Sequence, residues 1–345
     1  MASAAEQLAA NFNVGSFAKA TELKKRIWFT LGALIVYRLG TYIPVPGVDA
    51  TVMGQLLAQN QGGILGMFNM FTGGALGRMT VFALNIMPYI SASIIVQLMS
   101  TALPALEALK KEGEQGRKKL NEYTRYLTVI IAIVQAYSIA FGLENVHDGT
   151  AVVNPGPLFL ITCVTALVGG TMFLMWLGEQ ITSRGVGNGI SLIIFTGIVA
   201  NLPQALASLF QLGYTGALSP FFVLLFLVLA IGTIMFIVFM EQAQRRVVIQ
   251  YPKRQVGQRM FGGDTTHMPL KVNTAGVNPP IFASSVLLLP VTLQGIMSGK
   301  NLPGWLSFLG QELGQGQPLY MLFYAAMIVF FSYFYAAVTF NPAET

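Results

Sequence analysis

At 345 residues the chain is 54% hydrophobic and only 10% charged, with a mean hydropathy of +0.62 and a formal net charge of +6. A soluble domain carries about a quarter charged residues, so this composition excludes a water-soluble globule, a disordered chain and a coiled coil. One cysteine, Cys163, inside an apolar run excludes a disulfide scaffold, and two histidines, His147 and His267, leave little for a metal site.

In chain order, eight apolar runs have the length of about 20 residues that a helix needs to cross a bilayer. They cover about 27–43, 79–103, 127–143, 157–178, 189–212, 220–240, 275–298 and 318–340. Only the first carries a charge, Arg38, near an end where its stem can snorkel to the headgroups. None shows the strict alternation of a membrane barrel strand. The expected class is an all-α polytopic membrane protein. Residues 1–26 are polar, with Lys24, Lys25 and Arg26 just before the first run and no small-residue cleavage site after it. That run therefore reads as a retained span, not a cleaved signal peptide.

Basic residues cluster on alternate loops. The N-terminal segment holds four Lys or Arg, the 104–125 loop six, the 179–188 loop one and the 241–272 loop six. The opposite loops hold only Arg78 and Lys300. The positive-inside rule then predicts that both termini and the long basic loops are cytoplasmic.

Residues 44–78 are unlike an ordinary outer loop. Pro44-Val45-Pro46-Gly47 leads to a short apolar stretch, Ile64 to Phe71, and then to Thr72-Gly73-Gly74-Ala75-Leu76-Gly77-Arg78. Two geometries fit: a re-entrant piece buried in protein, or an amphipathic helix on the outer surface. Pro88 falls inside the second run and Gly169-Gly170 inside the fourth, where they predict kinks or close helix packing. Pro279, Pro280 and Pro290 interrupt the seventh. In the loop 241–272, Val247-Val248-Ile249-Gln250-Tyr251 predicts a strand and hence a hairpin.

Catalytic chemistry is not legible. Arg184-Gly185-Val186-Gly187-Asn188-Gly189 is glycine-rich but lacks the Lys-Ser/Thr of a phosphate loop, and no His-Glu-x-x-His occurs. Glu107, Glu144, Glu179 and Glu241 all fall at span ends, so a proton or sodium relay lacks its usual parts. No catalytic residue, cofactor or metal is expected. The reading is a passive path whose energy comes from a partner. Ile86 and Ile90, and likewise Ile190 and Ile194, are four apart and share a helix face. Two such faces would make an apolar constriction that excludes water, although isoleucine pairs at this spacing are usually plain packing.

Longer stretches carry a resemblance. Met67-Phe68-Asn69-Met70-Phe71-Thr72-Gly73-Gly74-Ala75-Leu76, then Ile86 to Leu98, then Lys110-Lys111-Glu112-Gly113-Glu114, are similar to the bacterial SecY family of protein-export channels. So are Gly170 to Thr182, Gly187-Asn188-Gly189-Ile190-Ser191, Pro269-Leu270-Lys271-Val272-Asn273 and Phe340-Asn341-Pro342-Ala343-Glu344-Thr345. The resemblance covers essentially the whole chain in the family's order.

It implies a clamshell helix bundle with eight spans present of ten. Residues 1–26 would form a cytoplasmic segment and 27–212 the first helix half, with a plug at about 64–78. Residues 220–340 would form part of the second half, with the cytoplasmic loop 241–272, and 341–345 would begin a further loop. The implied pore ring is Ile86, Ile90, Ile190, Ile194 and Ile281, and the plug includes Met67, Phe68, Asn69, Met70, Phe71, Gly73, Gly74 and Arg78. Gln97 and Asn278 would border a lateral gate open to membrane lipids, and Lys253, Arg254 and Arg259 would dock partners. Those partners are the motor ATPase SecA and the ribosome, with SecE and SecG as further subunits and signal peptides and nascent chains as cargo. The implied location is the bacterial inner membrane. Three departures stand out: the chain ends after the eighth span, Asn278 and Pro280 flank a waist position that is usually apolar, and Gln258 stands where an arginine is common. A small-solute transporter and an inactive fragment are the competing readings.

Overall fold

The structure, a computed structural model, describes residues 21–49, 69–70, 72–144, 152, 154–216, 218–250, 254–256, 259–261, 265–273, 276, 279–284, 286–287 and 318–339. It is the expected all-α membrane protein with one β ribbon, and it divides into two compact units. The first comprises Met1–Pro203 with Ser284–Met321, the second Gln204–Ala283 with Leu322–Thr345.

In the first unit, α1 (Thr21–Gly40) has Glu22 in its first turn and Arg38 in its last, which complements the helix dipole. Then α2 (Met87–Ala102) starts eight residues later than the apolar run beginning at 79 suggested. The reason is Pro88. Its ring excludes helix on its N-terminal side, but at the first helical turn its missing N–H costs nothing, so it begins the span and does not kink it. Residues 79–86 are turns instead, with left-handed backbone at Met79 (φ 44°) and Asn85 (φ 49°). At the other end Leu103 is forced extended by Pro104, and α3 (Pro104–Lys111) leaves α2 at 99°. On α3, the exposed Glu107 pairs with Lys111 at 2.8 Å, and that ammonium holds its carboxyl below the usual range.

Next come α4 (Glu114–Glu144) and α5 (Pro157–Arg184). With 31 residues, α4 begins well before its apolar run and carries the charged segment 114–126 as helix. Its buried face is a row of small residues four apart: Thr124, Thr128, Ala132, Ala136 and Ala140. Lipid tails are as apolar as leucine, so helices in a bilayer gain by close van der Waals approach, which small side chains permit. α5 in turn buries Cys163, Leu167, Gly170, Leu174 and Gly178. A bidentate pair, Arg125 to Glu179 at 2.9 and 2.8 Å, ties the two helices at one end. The glycines of α5 do not break it. A Cβ at Gly170 would collide with the carbonyl of Val81, so this glycine admits the 79–86 turns against the helix. The rings of Tyr37, Phe82 and Phe173 stack in a row, at 6.2 and 5.9 Å, from α1 through those turns to α5.

The fifth run forms α6 (Gly189–Ala200) and α7 (Leu202–Tyr214), and the unit boundary falls just after Pro203. In the second unit, α8 (Pro220–Gln242) buries only Val223. Side chains such as Phe222, Phe226, Ile234 and Phe236 are more than half exposed. Such a surface is tolerable in hydrocarbon and not in water. The predicted hairpin is present and longer than its sequence signal. β1 (Gln244–Gln250) pairs antiparallel with β4 (Thr265–Lys271), Gln244 opposite Lys271 and Gln250 opposite Thr265. Farther out, β2 (Arg254–Val256) pairs with β3 (Arg259–Phe261). Asn273 donates to Glu241 at 2.9 Å and closes the base. Helical backbone at 279–284 rests on α9 (Pro318–Thr339) through Phe282 against Phe331 and Tyr335, and Tyr324 donates to the Pro280 carbonyl at 3.4 Å. Most of the seventh run lies outside the described residues. Four helical spans meet both length and hydropathy for crossing, and the bent α2–α3 pair makes a fifth, among the described residues.

The small-residue row has a measurable consequence. Ala136→Leu overpacks the contact and should cost about 1–3 kcal/mol. Thermal denaturation of the protein in nanodiscs should show a lower Tm, whereas Ile133→Leu, on the exposed side of α4, should leave it within a degree or so.

Candidate functional site

The described part of the implied plug, 69–70 and 72–78, folds on itself. Asn69 accepts from the Gly77 amide at 2.7 Å through its side chain and from the Gly74 amide at 2.8 Å through its carbonyl. Thr72 donates to Asn69 O at 3.1 Å and accepts from the Leu76 amide at 3.3 Å. Thr80 donates to Ala75 O. Two bridges, Val45 N to Met79 O and Val81 N to Ile43 O, both 3.0 Å, sew the segment to the chain leaving α1. Ala75, Leu76 and Met79 are buried. Irregular backbone of this kind is admissible at membrane depth when the protein satisfies its polar groups; of the apolar stretch Ile64 to Phe71, only Asn69 and Met70 are among the described residues. Met67, Phe68 and Phe71 lie outside the described residues.

Two residues that the pattern did not single out for this site complete it. Arg38 does not snorkel. Its guanidinium donates to Gly73 O at 3.1 Å and to the Tyr42 hydroxyl at 3.1 Å, because a carbonyl and a phenol satisfy a fork of donors that lipid cannot. Tyr42 lies under it, with the Arg38 guanidinium carbon 5.1 Å from the ring centroid. Arg78 donates to Gly74 O and Gly73 O, both at 3.2 Å. Sequence could have flagged only that Arg38 is the one charge inside an apolar run. One of its partners, Gly73, is 35 residues away.

Immediately downstream, Ile86 is the N-cap of α2 and is 1% exposed, and Ile90, one turn on, is 8% exposed. Ile190 and Ile194 occupy the first turns of α6 and are half-buried, while Ile193 between them is fully buried and belongs to the packing face. Asn188 caps α6 by accepting from the amides of Ile190 and Ser191 at 3.0 and 3.4 Å. The glycine-rich 184–189 stretch is therefore a tight helix-to-helix connection, with the Val186 amide bound to Thr30 Oγ1 and the Gly189 amide to Thr182 Oγ1. These four isoleucines belong to the first unit; Ile281, 9% exposed, belongs to the second. Gln97 is on the exposed side of α2. Arg254 and Arg259 begin β2 and β3, with Arg254 opposite Phe261 and Arg259 opposite Val256. Asn278, Lys253 and Gln258 lie outside the described residues.

Comparison with known proteins brings these parts together. The family model for SecY matches residues 80–345. Protein translocase subunit SecY of Rickettsia bellii (strain RML369-C) is 53% identical over 328 residues, covering 94% of this chain and 75% of that protein. The subunit of the same name from Escherichia coli (strain K12) is 54% identical over 325 residues, covering 94% and 73%. The chain thus spans about three quarters of the length of these curated relatives. A solved structure described as that of a protein conducting channel matches with a TM-score of 0.51 at 19% identity, over 82% of this chain and 60% of the other. At that identity the likeness concerns the fold.

The self-capped turn rests on one amide acceptor. Asn69→Ala leaves the Gly77 N–H unpaired, at about 1–3 kcal/mol. Amide hydrogen exchange at 74–78 should accelerate by roughly tenfold or more, and Asn69→Asp, which keeps the acceptor, should restore protection.

Proposed function

Because the chain belongs to the SecY family, we propose that it supplies the protein-conducting path of a translocase, through which unfolded secretory polypeptides cross a membrane and hydrophobic segments leave sideways into lipid. The observation that carries this reading is the irregular, hydrogen-bonded segment at 72–80, with Ala75, Leu76, Met79 and Thr80 buried, leading within ten residues to the aliphatic pair Ile86 and Ile90. A narrow ring of aliphatic side chains excludes water and ions without binding any one sequence, and a covering segment seals it at rest. Ile190, Ile194 and Ile281 complete the ring, and Met67 to Phe71, Gly73, Gly74 and Arg78 form the plug.

Gln97 and Asn278 border the lateral exit. A greasy segment partitions there because burial in hydrocarbon gains about 25 cal/mol per Å² of apolar surface. The β1–β4 ribbon with Lys253, Arg254 and Arg259 is the docking element for SecA or the ribosome. Its cationic side chains suit acidic protein or RNA phosphate. SecE and SecG complete the assembly. The basic loops place the N-terminus in the cytoplasm of a bacterial inner membrane.

In the full-length channel assembled with its partner subunits in planar bilayers, Ile90→Ser and Ile190→Ser should raise resting ion conductance about tenfold, the factor equivalent to 1.4 kcal/mol of easier water entry. A photoreactive group at position 90 should crosslink to a secretory chain stalled midway. Unchanged conductance and export in both variants, with no crosslink, would refute the ring.

A further inference from the structure

Two arginines from distant parts of the chain converge on a single carbonyl. Arg38 at the end of α1 and Arg78 at the end of the plug both donate to Gly73 O, at 3.1 and 3.2 Å, and so occupy both of its lone pairs. Arg78 takes Gly74 O as well, at 3.2 Å. The same two guanidiniums lie over the Tyr42 ring, with carbons 4.2 Å (Arg78) and 5.1 Å (Arg38) from its centroid, and the Tyr42 hydroxyl accepts from Arg38 at 3.1 Å. An electron-rich ring face and one shared oxygen hold two like charges together. Their mutual repulsion works against the contact at short range.

What they grip is a hinge. Gly73 and Gly74 have φ of +66° and +83°, a left-handed pair that side chains would strain. A Cβ on Gly73 would stand 3.0 Å from the carbonyl oxygen of Gly197, so the hinge backbone lies directly on α6, the helix of Ile190 and Ile194. Anything that frees the Gly73 carbonyl frees this apposition. Guanidinium forks can hold two carbonyls and an aromatic face at once; an ammonium cannot.

The geometry points to Arg38, Tyr42 and Arg78 as positioning residues that latch the Gly73–Gly74 hinge against α6 and so keep the pore cover seated at rest. This rests on the channel reading above. Because the two cations repel, the latch is weaker than its bond count, which suits a cover that must yield to an arriving chain.

The test uses the full-length channel with its partner subunits. Tyr42→Ala removes the platform and should raise resting ion conductance roughly tenfold, the equilibrium factor for losing two exposed cation–π contacts. Tyr42→Phe keeps the ring and should stay within about twofold of the unaltered channel. Nitroxide labels at Met70→Cys and Val199→Cys, both solvent-accessible while the native Cys163 is buried, should report a sharp separation that broadens in Tyr42→Ala and sharpens again in Tyr42→Phe. If Tyr42→Ala shows no extra leak while Ile90→Ser does, the latch is wrong and the channel stands. If neither leaks, both readings fall. A leak with an unchanged label distance also overturns the latch. Should Tyr42→Ala fail to assemble, Arg78→Lys keeps the charge without the fork; conductance equal to the unaltered channel then overturns the proposal, and a leak supports it.

Discussion

The structure depends on one constraint: at membrane depth every backbone N–H and C=O must find a partner within the protein. Helices meet it automatically. Residues 72–86 do not, since they are turns that lead into α2. They persist because side chains supply what a helix would have supplied. Asn69 and Thr72 cap the first turn, Thr80 the second, and Arg38 and Arg78 take the glycine carbonyls. The left-handed backbone at Met79 and Asn85 is the strain that remains, Met79 being held by the bridge from Val45 and Asn85 by its amide's bond to the Phe82 carbonyl. An irregular segment held this way by a few replaceable contacts is suited to moving.

Around it the first unit is built for close approach. The row of Thr124, Thr128, Ala132, Ala136 and Ala140 brings α4 near its neighbours, and Gly170 lets the Val81 backbone lie on α5. Contact between backbones, together with the Tyr37–Phe82–Phe173 stack, fixes the position of the turns. Rigid helices thereby frame a non-helical insert. Dispersion contacts summed over such faces do the work that the hydrophobic effect does in water.

The second unit spends its sequence differently. α8 buries only Val223 among its side chains, and the ribbon that follows pairs β1 with β4. Its strands carry Arg245, Arg246, Arg254 and Arg259, charges that cost nothing in water and would be prohibitive in lipid. The Glu241–Asn273 bond ties the end of α8 to the residue just beyond the ribbon.

Sequence alone determined the class of the protein, because twenty-residue apolar runs and one-sided cations are local properties that a bilayer reads directly. It also determined the hairpin, from the β-branched run Val247-Val248-Ile249, and the family, from long runs such as Met67 to Leu76 and Ile86 to Leu98. Only tertiary structure decided the rest. That Pro88 begins a helix and does not bend one depended on what the preceding eight residues could pack against. That 184–189 is a capped turn depended on Thr30 and Thr182 reaching its amides. That Arg38 turns inward to a glycine hinge depended on a carbonyl 35 residues along the chain. Periodicity encodes which residues avoid water; it does not encode which distant acceptor a buried donor will meet, since that is settled only when the helices have assembled.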